Sequence, residues 1–209
     1  MKQTREGLLL VVSGPAGVGK GSINHALIQR NSDVRMSVSA TTRSPRPGEI
    51  NGVHYFFKTE EEFKKMIDEG AFLEYMRVFN THYYGTPKSF VEQELKEGRS
   101  VVLEIDVQGA MRVKAAYPDA VLIFIAPPSM SELKTRLIGR GTESAEAVER
   151  RFETAYKELD YVKEYDYVVV NDILDLAIAR VEHILSAERC RSVRNGELIE
   201  KLMGGRSEL

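Results

Sequence analysis

Gly14-Pro15-Ala16-Gly17-Val18-Gly19-Lys20-Gly21-Ser22 has the residue types and spacing to hold phosphate oxygens. Glycines let backbone N–H groups close around an anion, the start of a helix adds partial positive charge, and Lys20 reaches toward β- and γ-phosphates. One position departs from the usual pattern. Gly21 stands where a serine or threonine normally follows the lysine, and the hydroxyl comes one residue later at Ser22. A glycine-rich turn that binds nothing is the alternative. The apolar run Leu8 to Val12 before the loop and the helical periodicity from Ile23 after it weigh against that.

Other residues could work with such a loop. Glu104-Ile105-Asp106 ends an apolar run, and in a parallel sheet the carboxyl end of a strand faces the ligand crevice. Asp106 there can meet a divalent cation, directly or through water, or a second substrate. From Val34 to Gly48 no acidic residue occurs, whereas Arg35, Arg43 and Arg46 do. Arg43 and Arg46, three apart with a proline stiffening the link, can offer forked donors to one phosphate, although a solvated basic loop has the same composition. Glu74 lies among Phe72, Leu73 and Tyr75, where a carboxylate is costly without donors to accept. Guanine offers two adjacent donors on one edge and adenine a bare acceptor there, so such a carboxylate favours guanine. A rim carboxylate with a water shell fits the composition equally. Tyr55, Tyr84 and Thr86 add hydroxyls nearby.

The elements that must position these residues follow from hydrophobic patterning. Apolar segments at 8–13, 34–39, 100–106, 120–125 and 167–171 read as buried parallel strands. Helical patterns fall at 20–30, 108–116, 130–138, 145–164 and 173–193, and Ser129 to Glu132 resembles a capping box. The alternation predicts a three-layer α/β fold, a five-stranded parallel sheet with helices on both faces. Two stretches interrupt it. Residues 39–96 carry a Pro/Gly turn, β-like runs at 53–57 and 72–78 and a capped helix at 59–69, and read as a small α+β insertion. Residues 131–151 are arginine-rich around Gly139-Arg140-Gly141 and read as a helical lid. The core is then 1–38, 97–130 and 152–209.

The chain has 209 residues, 29 basic against 31 acidic, so no global field draws it to nucleic acid or to an anionic membrane. Cys190 is the single cysteine, which excludes an internal disulfide and a cysteine-rich metal site, and the four histidines lack ligand spacing, which argues against a metal held by histidines. No apolar stretch is long enough to span a bilayer and the amino terminus has no leader pattern, so a cytoplasmic protein is expected. Oligomeric state is left open.

Taken together, these motifs resemble the guanylate kinases over nearly the whole chain. GPAGVGKGS, SVSATTRSPRPGEINGVHYFF, FLEY, HYYGT, EIDVQGA, RLIGRGTESAEAVERR and YDYVVVND occur in that family's order and approximate spacing. The resemblance implies transfer of the γ-phosphate of ATP to GMP with Mg²⁺, with dGMP an open alternative acceptor. It implies that Ser39, Glu74 and Thr86 read guanine, that Arg43, Arg46, Tyr55 and Tyr84 hold the GMP phosphate, and that Asp106 lies near guanine and metal. Gly14 to Ser22 would cradle ATP, with Lys20, Arg136, Arg140 and Arg151 along its phosphates and Asn171 near adenine or ribose. Lys20, Arg43, Arg140 and Arg151 would carry catalysis, and Ser22 and Asp106 would face the metal, directly or through water. Ala16 stands where that family commonly has serine, and Gly21 leaves the hydroxyl's role toward Mg²⁺ open. A catalytically inactive interaction module of the same family and another small-molecule kinase on the same core are the competing readings.

Overall fold

The computed structural model describes residues 6–78, 81–139 and 145–204. β1 (Leu9–Ser13) is buried at every position, as expected of an interior parallel strand. It leads through the glycine loop into α1 (Lys20–Arg30) and then β2 (Val34–Met36). The chain leaves this sheet for β3 (Ala40–Thr41), β4 (Phe56–Phe57), α2 (Glu60–Asp68), β5 (Phe72–Val78), β6 (His82–Pro87) and α3 (Lys88–Lys96). It returns as β7 (Ser100–Glu104), α4 (Val107–Ala116), β8 (Val121–Ala126), α5 (Met130–Gly139), α6 (Ala145–Leu159), β9 (Tyr167–Val170), α7 (Leu174–Cys190) and α8 (Gly196–Gly204).

The main sheet has five strands in the order β2-β7-β1-β8-β9, every pairing parallel. Alternate side chains divide its core. Leu10 and Val12 face Ile23, Leu27, Ile178 and Val181 on one side, and Leu9 and Val11 face Val107, Ala110 and Val113 on the other. The second sheet has four strands in the order β4-β3-β6-β5. Its own small core stacks Phe63 on Phe72 at 4.4 Å and on Tyr83 at 5.3 Å. A complete capping box at Thr59 and Glu62 starts α2, and Ser129 caps α5 by accepting from the Glu132 N–H.

Several boundaries differ from expectation. The strand expected at 34–39 ends at Met36 because 37–39 passes between sheets. The Ser37 N–H donates to Val102 of the main sheet, and Ser39 accepts from Phe56 of the small one. Only Phe56–Phe57 of the run at 53–57 is strand. The helices expected at 145–164 and 173–193 stop at Leu159 and Cys190, and each is followed by a 3₁₀ turn, at Val162–Glu164 and Ser192–Arg194. α3 and α8 were not expected. Residues 131–139 are anchored rather than detached, since Leu133 and Leu137 are buried in the same core cluster as Val18 of the loop.

Candidate active site

β1 ends where the loop begins, and Gly19 caps α1 in the left-handed region at φ 99°. A Cβ on Gly14 (φ 139°) would lie 2.2 Å from the Ile125 carbonyl oxygen, so the loop passes too close to β8 for any side chain. Lys20 Nζ donates to the carbonyls of Gly14 at 2.5 Å and Pro15 at 3.1 Å, which draws its ammonium across the loop. No acidic residue sits in the first turn of α1, so its positive end is uncompensated by a carboxylate of its own. Ser22 is exposed in that turn. Gly21 is also exposed, and a Cβ there would meet only Glu104 Oε2 at 3.9 Å, so nothing steric forbids a side chain.

Asn171 follows β9 and is 6% exposed. Its Nδ2 donates to the Val18 carbonyl at 2.8 Å, and its own carbonyl accepts from Arg136 Nη1 at 3.0 Å. Asn171 thus braces the P-loop through its Nδ2, and Arg136 reaches the same place from α5.

Across the carboxyl edge of the main sheet lies a cavity of about 200 Å³ between the two sheets. Ser39, Tyr55, Glu74, Tyr84 and Asp106 all line it, joined by Glu104 and Gly109. Glu74 is 7% exposed and accepts from Thr86 Oγ1 at 2.8 Å, a contact made because β5 and β6 pair these residues directly. Thr86 is itself fully buried and acts on Glu74 rather than on the cavity wall. Gly109 lets the start of α4 approach this carboxylate, since a Cβ there would be 3.3 Å from Glu74 Oε2. Burial pushes the Glu74 carboxyl above its ordinary range, the Thr86 bond opposes this, and the charge of Asp106 adds to it. Asp106 is also the N-cap of α4, with Oδ1 accepting from the Gly109 N–H at 2.8 Å. It lines the cavity, and its charge raises both the Glu74 and the Glu158 carboxyl.

Arg43 lies against the cavity's aromatic wall, its guanidinium carbon 5.4 Å from the Tyr55 ring, and Tyr55 meets Tyr84 edge-on at 6.0 Å. The Arg46 side chain is exposed beside it. The two arginines do not form a symmetrical fork, because Arg43 is already gripped by Glu49 with both bonds at 2.9 Å.

A sequence model of the guanylate kinase family matches residues 6–188. The chain belongs to the guanylate kinase family. It is 55% identical over 202 residues to the guanylate kinase of Caldanaerobacter subterraneus subsp. tengcongensis, covering 97% of this chain and 98% of that one. It is 50% identical over 192 residues to the guanylate kinase of Desulfitobacterium hafniense, covering 92% and 96%. The crystal structure of guanylate kinase from Anaplasma phagocytophilum superposes with a TM-score of 0.75 at 33% identity, covering 91% of this chain and 90% of that one.

For a guanylate kinase family member, three carboxylates near the site escaped the sequence reading. Glu49 comes one residue after the acid-free basic run, and its position was the only signal. Glu104 was read as part of a strand end, yet it lines the cavity and accepts from Asn24 Nδ2 at 2.8 Å. Glu158 enters from the last turn of α6. Burial raises its carboxyl and the positive charge of Lys20 pulls the other way. Arg151 is exposed on α6, and Arg140 lies outside the described residues. A larger cavity of about 600 Å³ sits at the opposite end of the main sheet, among Leu8, Leu95, Tyr117 and Val193, and none of the expected site residues lines it. Ligand chemistry in open parallel sheets gathers at the carboxyl ends of the strands, which favours the smaller cavity. Among the described residues no group of His, Cys, Asp and Glu is arranged to hold a metal ion unaided, and no helix is long and apolar enough to cross a membrane.

Proposed function

We propose that this chain transfers the γ-phosphoryl group of ATP to GMP, yielding ADP and GDP. The observation that carries the reading is Glu74, a buried carboxylate held by Thr86 in a cavity that it lines together with Asp106 at the carboxyl edge of the main sheet. Its remaining acceptor capacity suits the N1–H and 2-amino donors of guanine, with Ser39 beside it. Adenine would leave the carboxylate unpaired, which is costly in a buried site.

The acceptor phosphate belongs at Arg43, Arg46, Tyr55 and Tyr84. The donor belongs in the loop from Gly14 to Ser22, with Lys20 and Arg136 along its phosphates and Arg140 and Arg151 completing the lid. Asn171, which braces the loop, lies near adenine or ribose. The nucleophile is an oxygen of the GMP phosphate, already anionic near neutral pH because its second pKa is about 6, so no general base is required. Catalysis then consists of holding two polyanions in line and neutralising the charge that spreads during transfer.

When bound with ATP, Mg²⁺ would supply charge neutralisation at the phosphates. The available protein donors are oxygens, the Ser22 hydroxyl and an Asp106 carboxylate with one oxygen already engaged by Gly109, and they suit a hard cation that keeps most of its water. The test is a coupled assay with ATP and each of GMP, dGMP, AMP, CMP and UMP. GMP is expected to be turned over far faster than AMP, and comparable rates with the two would overturn the assignment.

A further inference from the structure

Glu49 is in an unusual position for a carboxylate in a site that binds phosphate. Its side chain is 17% exposed and pairs with Arg43, which is 14% exposed. Oε2 accepts from Arg43 Nη1 and Oε1 from Arg43 Nη2, both at 2.9 Å, so the carboxylate meets the end of the guanidinium with two parallel bonds. Arg43 Nη1 also donates to the Ser44 carbonyl at 2.6 Å. A guanidinium has five N–H groups in a rigid plane. These contacts engage both hydrogens of Nη1 and one of Nη2, and the two that remain, on Nε and Nη2, point along one side edge as a second fork. The cavity's aromatic wall is beside the group: the Tyr55 ring lies 5.4 Å from the guanidinium carbon, and Tyr84 meets Tyr55 edge-on at 6.0 Å.

Glu49 also shapes the turn that carries the other arginine. Its Oε2 accepts from the Arg46 N–H at 2.7 Å, and its own N–H donates to the Arg46 carbonyl at 3.0 Å. Gly48, at φ 86°, makes this closure possible. The Glu49 carboxyl is held down to about 2 by the Arg43 guanidinium and the Arg46 N–H, so it is ionised throughout the neutral range.

We propose that Glu49 is a positioning residue for the acceptor phosphate: it grips Arg43 by the end of its guanidinium and leaves the side fork, Nε–H and the second Nη2–H, to a phosphate monoester. This rests on the acceptor reading of the insertion given above. A competing possibility has the opposite sign. If Glu49 merely occupied the phosphate's place, or only diluted the positive charge, its removal would tighten GMP binding. Two features favour positioning. The carboxylate takes one edge of the guanidinium and not the other, and it is tied to the backbone at Arg46, which restrains it from swinging away.

The experiment uses the full chain as wild type, Glu49→Gln, Glu49→Asp, Arg43→Ala and the Arg43→Ala/Glu49→Gln double variant. KM is measured for GMP and for ATP, together with kcat. Glu49→Gln keeps the shape and loses the charge-assisted fork. It is expected to raise KM for GMP roughly tenfold and leave KM for ATP within about twofold. In the Arg43→Ala background the same change should alter KM for GMP by less than about twofold, because the group it positions is gone. Glu49→Asp, which keeps the charge and shortens the reach, should fall between wild type and Glu49→Gln. An unchanged or lowered KM for GMP in Glu49→Gln overturns the proposal, as does an equal loss with and without Arg43. Absence of GMP turnover in the wild type removes the acceptor reading and this proposal with it, whereas wild-type turnover with an indifferent Glu49→Gln removes the positioning role alone.

Discussion

The loop at Gly14 to Ser22 and the proposed acceptor cavity between the two sheets are made differently. The loop is one contiguous segment whose donors are backbone N–H groups, shaped by glycines at positive φ and by one buried amide, Asn171. The cavity is assembled from side chains of β3 to β6, the end of β7 and the start of α4. Its charges lean on one another, Glu49 on Arg43 and Thr86 on Glu74. A backbone site survives most side-chain changes but not a change of chain path. A side-chain site tolerates local movement and fails when one partner is lost.

The strongest break in this comparison is Lys20→Ala, which removes the loop's one side-chain cation. It should lower kcat on the order of a thousandfold with an unchanged thermal melt. A loss below tenfold would mean that backbone donors alone suffice for the donor half.

Next is Glu74→Gln in the acceptor half. The preference for GMP over AMP, measured as the ratio of kcat/KM, should fall roughly a hundredfold. The same variant should be more stable than wild type at pH 7, by on the order of 1 kcal/mol in denaturant titrations, because the buried charge is removed and the Thr86 bond can remain. The sign follows from linkage. The folded-state pKa of Glu74 lies above the unfolded value, so its contribution is fully present below pH about 4.3 and is lost as pH rises through the folded pKa. The two proteins should therefore match at pH 4 and diverge above it. Equal stability across the whole range would mean that Glu74 is adequately solvated and not held for a ligand.

Gly14→Ala tests the loop by its path. The added Cβ falls 2.2 Å from the Ile125 carbonyl at a φ that side chains avoid, so stability should drop by about 2 kcal/mol or more, along with activity. Gly21→Ser should have the smallest effect, within about 0.5 kcal/mol in stability, since the nearest atom to its Cβ is 3.9 Å away. Any change it makes in the Mg²⁺ dependence of kcat would sharpen what the hydroxyl at that position can contribute.

Much of the proposed donor half was legible in the sequence because its determinants are local. A strand of apolar residues, glycines at fixed offsets and a helix pattern from Lys20 onward required no distant partner, and α1 spans the range that was expected. The sequence also pointed to Ser39, Tyr55, Glu74, Tyr84 and Asp106, which lie 67 or fewer residues apart and line one cavity. What was not legible depended on geometry across elements. Residues 34–39 looked like one strand, but hydrogen bonds to two sheets end it at Met36. The bond from Asn171 to the loop was not legible either, since it needs the close approach of β9's end to Gly19. Glu49 and Glu158 carry no motif of their own, and only the packing of the turn and of α6 brings them to the site.

By itself, the sequence determined the alternation of strands and helices, the phosphate loop and the family, because hydrophobic period and glycine spacing act over a few residues at a time. Tertiary structure alone decided which carboxylates are paired, which are buried, and which edge of Arg43 Glu49 takes. Those outcomes depend on distances of about 3 Å between residues on different elements, and hydrogen bonds and charge interactions change steeply over that range.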